Sequence, residues 1–294
     1  MTQSRDGVVA RLLHVGEVPI IVNAWRLRDD RVVLRATPAG DSADEEQLTT
    51  AIDRMRFALG LDDDLSEFYD RFRGDPLLGP AIRRNPSTRP RRRPWPWEAL
   101  AWAVTEQLIE VPRAMAIQRR IVRRWGSTAP SNLPAPGRAR TRSRARGRND
   151  EDVLRDVPSA ATIAGVAPAE LASMDLAPKR AVALIKVAHE VTAGRADLFD
   201  HRCEPRLTRI SEIGTWTVRC LGLFGRGDPD ALPSGDLGYL KLIGHLAELG
   251  RRAVPEEVEE FFAPYAPYRG LAGTFVLREY HGMVAKRPPL RRVA

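Results

Sequence analysis

The hydrophobic period of this chain switches once, from two residues to about 3.6, and that switch restricts it to an antiparallel sheet followed by helices. The stretch "GVVARLLHVGEVPIIVNAWRLRDDRVVLRAT" alternates short β-branched runs with turn signals at Gly16 and Asp29-Asp30, predicting strands up to about residue 37. From Glu45 the spacing is helical, with Leu48, Ile52, Met55 and Leu59 on a helix expected to cover the sheet, followed by "DDDLSEFYDRF". Residues 74–96, rich in Pro, Gly and Arg, read as an extended crossing that separates two domains.

Beyond the crossing every periodic stretch is helical. "PWPWEALAWAVTEQLIEV" has Pro96 in a first turn and Leu100, Val104 and Leu108 on one stripe, and "RAMAIQRRIVRRWG" closes at Gly126. Helices resume with "APAELASM", "APKRAVALIKVAHEVTAG", "EPRLTRI", "TWTVRCLGLF", "DLGYLKLIGHLAELG", "PEEVEEFFAP" and "GLAGTFVLREY". The expected fold class is α+β: a small antiparallel-sheet domain over residues 1–85 and a mainly α-helical core over 86–294, with a mobile Arg-rich loop at 127–150. No fixed repeat runs through it.

Charge narrows the partners. Against 38 Asp and Glu stand 46 Lys and Arg, a formal +8, which fits a polyanion such as nucleic acid. Arg138, Arg140, Arg142, Arg144, Arg146 and Arg148 alternate with small or polar residues, and Arg89, Arg91, Arg92 and Arg93 sit among prolines. Both runs read as solvated, mobile linkers. Cys203 and Cys220, the two cysteines, make no disulfide framework, zinc knuckle or iron-sulfur set, and the histidines show no metal spacing. Free thiols, the absence of an apolar signal core and the absence of a membrane-spanning run predict a cytoplasmic protein with no membrane partner.

One stretch carries chemistry. In "LTRISEIGTWTVRC" a short helix turns at Gly214 into a second, whose first amides lack intrahelical partners and so form an anion site. A plain helix-turn-helix corner has the same spacing. About twenty residues later "ALPSGDLGYLKLIG" sets Asp236 before a helix, behind a Pro-Ser-Gly turn, where it serves either as a helix cap or as a reactive carboxylate.

With Leu207, Ile213, Gly214, Trp216, Thr217, Pro233 and Asp236 in this order, the chain resembles the helix-hairpin-helix (HhH-GPD) DNA glycosylases. Within them it is similar to the alkylation-repair branch, the 3-methyladenine DNA glycosylases II. The likeness extends over nearly the whole chain, with the hairpin at 207–224.

The resemblance implies base excision from duplex DNA by base flipping. Asp236 would stabilise an oxocarbenium-like transition state and orient water. Bifunctional relatives carry a lysine where Trp216 stands, which implies a monofunctional enzyme with no lyase step and an aromatic wall for the flipped base. Gln107 would belong to the base pocket and Leu108 would fill the gap, although Leu108 also fits core packing. Gly214, Thr215 and Arg219 would hold phosphate. Backbone carbonyls of Thr208, Ile210 and Ile213 would bind a monovalent cation, Na or K, with no other cofactor required. The partner would be double-stranded DNA with damaged bases, and the protein a monomer.

Three residues depart from the pattern. Glu212 replaces the first hairpin glycine, and Cys220 and Leu277 stand where aromatics line the pocket. Alkylpurines such as 3-methyladenine and 7-methylguanine leave easily and suit a sparse pocket; hypoxanthine or ethenoadenine demand more of it. The alternative is a non-catalytic DNA-binding or lesion-sensing protein.

Overall fold

The computed structural model describes residues 2–285 except 6, 30, 41 and 132–152. The arginine run at 138–148 lies outside the described residues. By packing, the chain forms two compact units, residues 1–58 with 104–195 and residues 59–103 with 196–294. This partition differs from a division at residues 85 and 86, which runs through the second unit.

The first unit holds the sheet. Strands β1 (Gln3–Arg5), β2 (Val8–Val15), β3 (Val18–Arg26) and β4 (Val32–Pro38) form an antiparallel meander in sequence order. Leu12 stands opposite Ile21 and Leu13 opposite Ile20, so successive pairs point to opposite faces, yet all four are buried. One face is covered by Ala129 and Leu154, from a two-stranded ribbon, β5 (Thr128–Pro130) with β6 (Val153–Arg155), packed on Ala10, Leu12 and Ile21. Coverage on both faces is why "VVARLLHV" reads as a near-continuous apolar run. His14 Nδ1 lies 2.8 Å from Asp156 Oδ2, which pins β2 to the chain just after β6.

Helices Val111–Trp125 and Pro178–Thr192 belong to this unit, with the shorter Ala160–Ala164 and Pro168–Ser173 and nearly all of Glu45–Leu59. The stripe expected to run through Leu108 stops earlier: the helix from Pro96 ends at Glu106. Buried Gln118 donates through Nε2 to Thr105 Oγ1 at 3.0 Å and to Glu106 Oε1 at 2.9 Å, holding the helix end.

The second unit is helical around an aromatic core of Phe68, Phe72, Phe262 and Phe275, with Phe68 and Phe275 centroids 5.4 Å apart. Two expectations are corrected here. Residues 74–96 are not wholly an extended crossing, because Leu78–Arg84 is a helix that buries Leu78, Ala81 and Ile82 in this core. Nor is the run Arg89–Arg93 a solvated linker. Arg92 pairs with Asp63 and its side chain is 9% exposed, and the Arg93 amide donates to the Phe224 carbonyl at 2.7 Å. A carboxylate and a fixed carbonyl hold these residues where composition alone suggested solvent. Among the described residues no helix is long and apolar enough to cross a membrane.

Candidate active site

The hairpin begins with the short helix Glu204–Leu207, and the Ile213 amide closes a turn onto the Ile210 carbonyl at 3.0 Å. Glu212, the third residue of that turn, has φ 73°, the left-handed position that type II turns usually give to glycine. A glutamate there carries roughly 1–2 kcal/mol of backbone strain. Gly214 follows at φ −101°, a conformation open to any residue, and a Cβ built on it would meet nothing within 4 Å. Neither backbone nor packing calls for glycine at 214, so its bareness leaves open approach to the helix start.

The second hairpin helix, Thr215–Cys220, runs on as a wider turn over Leu221–Arg226. Gly214 and Thr215 are exposed, while Trp216 and Arg219 are half-buried. The Trp216 indole lies against the turn before Asp236, since a Cβ on Gly235 would sit 3.7 Å from its Cβ and Cδ1. Its Nε1 is buried and takes no acceptor among the described residues. Hairpin and carboxylate turn, distant in sequence, are thus in contact.

Asp236 caps the helix Leu237–Leu246, its Oδ1 accepting from the Gly238 amide at 2.7 Å. The other oxygen, Oδ2, has no protein donor among the described residues, leaving half of the carboxylate for a ligand. Buried Ser234, whose Oγ donates to Glu259 Oε1 at 2.9 Å, locks the turn that carries it. Capping and chemistry are compatible, because each uses a different oxygen.

Around the carboxylate the walls are aliphatic. A Cβ on Gly238 would lie 3.1 Å from Leu277 Cδ1, and Leu237 is 42% exposed beside it. Sequence reasoning passed over Leu237 and Tyr239. Buried Tyr239 has its hydroxyl pushed well above the ordinary tyrosine range, first by burial and then by the charge of Asp236, with Cys220 adding to it. The signal available was position: both lie within three residues of Asp236.

The carbonyls of Thr208 and Ile213 accept no hydrogen bond among the described residues, whereas that of Ile210 accepts the turn bond. Hard carbonyl oxygens of this kind suit a monovalent cation, and no His, Cys, Asp or Glu cluster able to hold a metal occurs among the described residues.

Gln107 and Leu108 belong to the other unit. Gln107 is half-buried. Leu108 is 95% exposed with φ 54°, which removes it from the apolar core stripe. A bulky residue both left-handed and bared to solvent is an outlier on two counts.

No protein-family model matches the chain. Curated relatives do. The chain is 22% identical over 289 residues to a DNA-3-methyladenine glycosylase of Bacillus subtilis, covering 95% of this chain and 88% of the relative. It is 25% identical over 274 residues to a probable bifunctional transcriptional activator/DNA repair enzyme of Mycobacterium tuberculosis, covering 89% of this chain but half of that longer protein. Among solved structures it superposes on a 3-methyladenine DNA glycosylase from Archaeoglobus fulgidus with TM-score 0.78 and 18% identity, over 97% of this chain and 91% of that one. It also superposes on an 8-oxoguanine glycosylase/lyase of Clostridium acetobutylicum bound to double-stranded DNA, with TM-score 0.64 and 14% identity over 97% and 98%. The solved structures establish the fold, and the motif and the curated relatives narrow it. The chain has the fold of these glycosylases and resembles, in sequence, the helix-hairpin-helix DNA glycosylases of the alkylation-repair branch.

Proposed function

We propose that this protein is a monofunctional DNA glycosylase that hydrolyses the N-glycosidic bond of alkylated purines in duplex DNA. The observation that carries this reading is the free Oδ2 of Asp236 next to a hairpin whose Trp216 packs on the same turn. Cleaving the C1'-N bond builds positive charge on the sugar, and a fixed carboxylate that needs no reorganisation stabilises it. Asp236 also orients the attacking water. Cationic bases such as 3-methyladenine leave without a general acid, which suits walls of Leu237 and Leu277 with one indole.

The base reaches Asp236 only by leaving the duplex. Leu108 fills the vacated stack, the apolar side chain entering between base steps. Gln107 lies beside it in sequence and faces the opened pair. Gly214 and Thr215 present unpaired amides to a backbone phosphate, and Arg219 adds charge. The Thr208, Ile210 and Ile213 carbonyls would hold Na or K, which neutralises the carbonyl end of the turn.

The test is base release from methylated duplex DNA, followed by alkali to reveal abasic sites. Borohydride added during the reaction should trap no covalent protein-DNA adduct, because a Schiff base needs an amine and Trp216 has none to give. A trapped adduct would remove the monofunctional reading. Intact bases with tight DNA binding would favour the non-catalytic sensor.

Glu212→Gly should bind a duplex containing a tetrahydrofuran abasic analogue roughly threefold more tightly at low salt, since it removes a carboxylate near the phosphate. Its melting temperature should hold or rise, because relief of left-handed strain offsets the added chain entropy of glycine. Fluorescence anisotropy at two salt concentrations and a thermal melt read both effects. Unchanged affinity would mean that Glu212 points away from the DNA.

A further inference from the structure

We propose that Glu259, on the helix Pro255–Phe262, is a positioning residue that aims the Asp236 carboxylate through Ser234, which rests on the reading that Asp236 is the reacting group. The link is short. Ser234 Oγ donates to Glu259 Oε1 at 2.9 Å, and Ser234 stands two residues before Asp236.

The turn that carries Asp236 is closed from within. The Asp236 amide donates to the Pro233 carbonyl at 2.9 Å, which puts Ser234 and Gly235 at the centre of a β-turn, and the Ser234 amide donates to the Leu232 carbonyl at 2.9 Å. Bonds of this kind fix the shape of a turn and leave its direction open. Behind Asp236 the helix Leu237–Leu246 buries Tyr239, Leu242 and Ile243, and ahead of it Leu232 joins the aromatic core and Ser234 is tied to Glu259. Apolar burial is non-directional, whereas the bond from Ser234 has a preferred line.

The anchor is fixed although it is exposed. Val258 beside it and Phe262 one turn on are fully buried, so the helix presents Glu259 from a set position. A hydroxyl only 4% exposed needs an acceptor, and a carboxylate gives it a stronger bond than a neutral oxygen would. The start of the same loop is clamped separately. Arg269 Nε and Nη2 lie 2.9 and 2.5 Å from the Asp230 oxygens, and the Leu271 amide donates to the Pro229 carbonyl at 2.9 Å. Arg269 is held above the ordinary arginine pKa first by its bond to Asp230, with the charge of Glu259 adding to it, so the two clamps are neighbours.

This division of labour separates rate from stability. Glu259 contributes no buried apolar surface, so its loss leaves the core whole. A reacting group displaced by about 1 Å, however, can lose on the order of a hundredfold in rate.

The experiment compares full-length Glu259→Ala, Glu259→Gln, Ser234→Ala and the Ser234→Ala/Glu259→Ala double variant with wild type. Hydrogen exchange by mass spectrometry of peptides covering residues 231–240 should rise in both alanine variants, because the amides of Ser234, Asp236 and Gly238 lie in the loosened turn, while the melting temperature stays close to that of wild type. Single-turnover base release from methylated duplex DNA should fall roughly tenfold, with unchanged affinity for a duplex bearing a tetrahydrofuran abasic analogue. The double variant should lose no more than either single one, since both remove the same bond. Glu259→Gln keeps an oxygen that accepts from Ser234 and should restore both exchange and rate. Wild-type exchange and rate in the two alanine variants overturn the proposal, as do losses that add in the double variant. A glutamine variant as slow as the alanine one also overturns it, and makes the charge of Glu259 the acting feature. Wild-type protein that releases no base counts against the glycosylase reading alone, and the exchange arm, which needs no activity, still decides whether Glu259 holds the turn.

Discussion

Asp236→Asn loses base release from methylated duplex DNA by roughly a hundred- to a thousandfold, the range seen when one preorganised electrostatic partner of a transition state is removed. Asparagine still accepts from the Gly238 amide and is as good a helix cap as aspartate, so the helix Leu237–Leu246 keeps its start and the melting temperature is unchanged. Asp236→Ala loses the same activity and in addition about 1 kcal/mol of stability with the cap. The pair of variants separates the two duties of the side chain, by single-turnover base release and by thermal denaturation. Equal activity of Asp236→Asn and wild type would end the catalytic assignment.

Leu108→Gly lowers base release from fully paired duplex by about ten- to a hundredfold, because the unstacking of the flipped nucleotide, a few kcal/mol, is no longer offset by a side chain in the gap. The same variant is as stable as wild type or up to about 1 kcal/mol more so, since glycine adopts the left-handed backbone at 108 without penalty. A core leucine would behave oppositely, losing several kcal/mol. Placing the lesion in an unpaired bubble should restore the rate, because the stack is already open. If the deficit persists on the bubble substrate, Leu108 acts at another step.

How far the sequence foretold these features depends on whether the cause was local. The strands β2 to β4 were legible, because β-branched runs between Gly16 and the Asp29-Asp30 pair leave few other conformations. The helix Leu78–Arg84 was not, since Gly79 and Pro80 lower its propensity and only the aromatic core around Phe68 and Phe275 makes it worthwhile. Extending the stripe of Leu100 and Val104 to Leu108 assumed a continuing helix, which Gln118 ends from thirteen positions away at Thr105. Arg92 resembled linker because its partner, Asp63, is far off in sequence. The contact of Trp216 with Gly235 was accessible only through the motif, as no periodicity links a hairpin to a turn twenty residues on.

The two compact units are each assembled from separated stretches of chain, and this decides how the protein can be taken apart. A cut at residue 85, where composition changes, strips the aromatic core of the second unit of Phe68, Phe72, Leu78 and Ile82 while leaving Phe262 and Phe275 behind. Neither of the two fragments that such a cut produces contains a whole core. The first unit has all its residues once Arg195 is made, whereas the second must wait for the helix Arg269–Ala285, so a premature stop between the two leaves residues 59–103 with an open aromatic core and an aggregation-prone polypeptide.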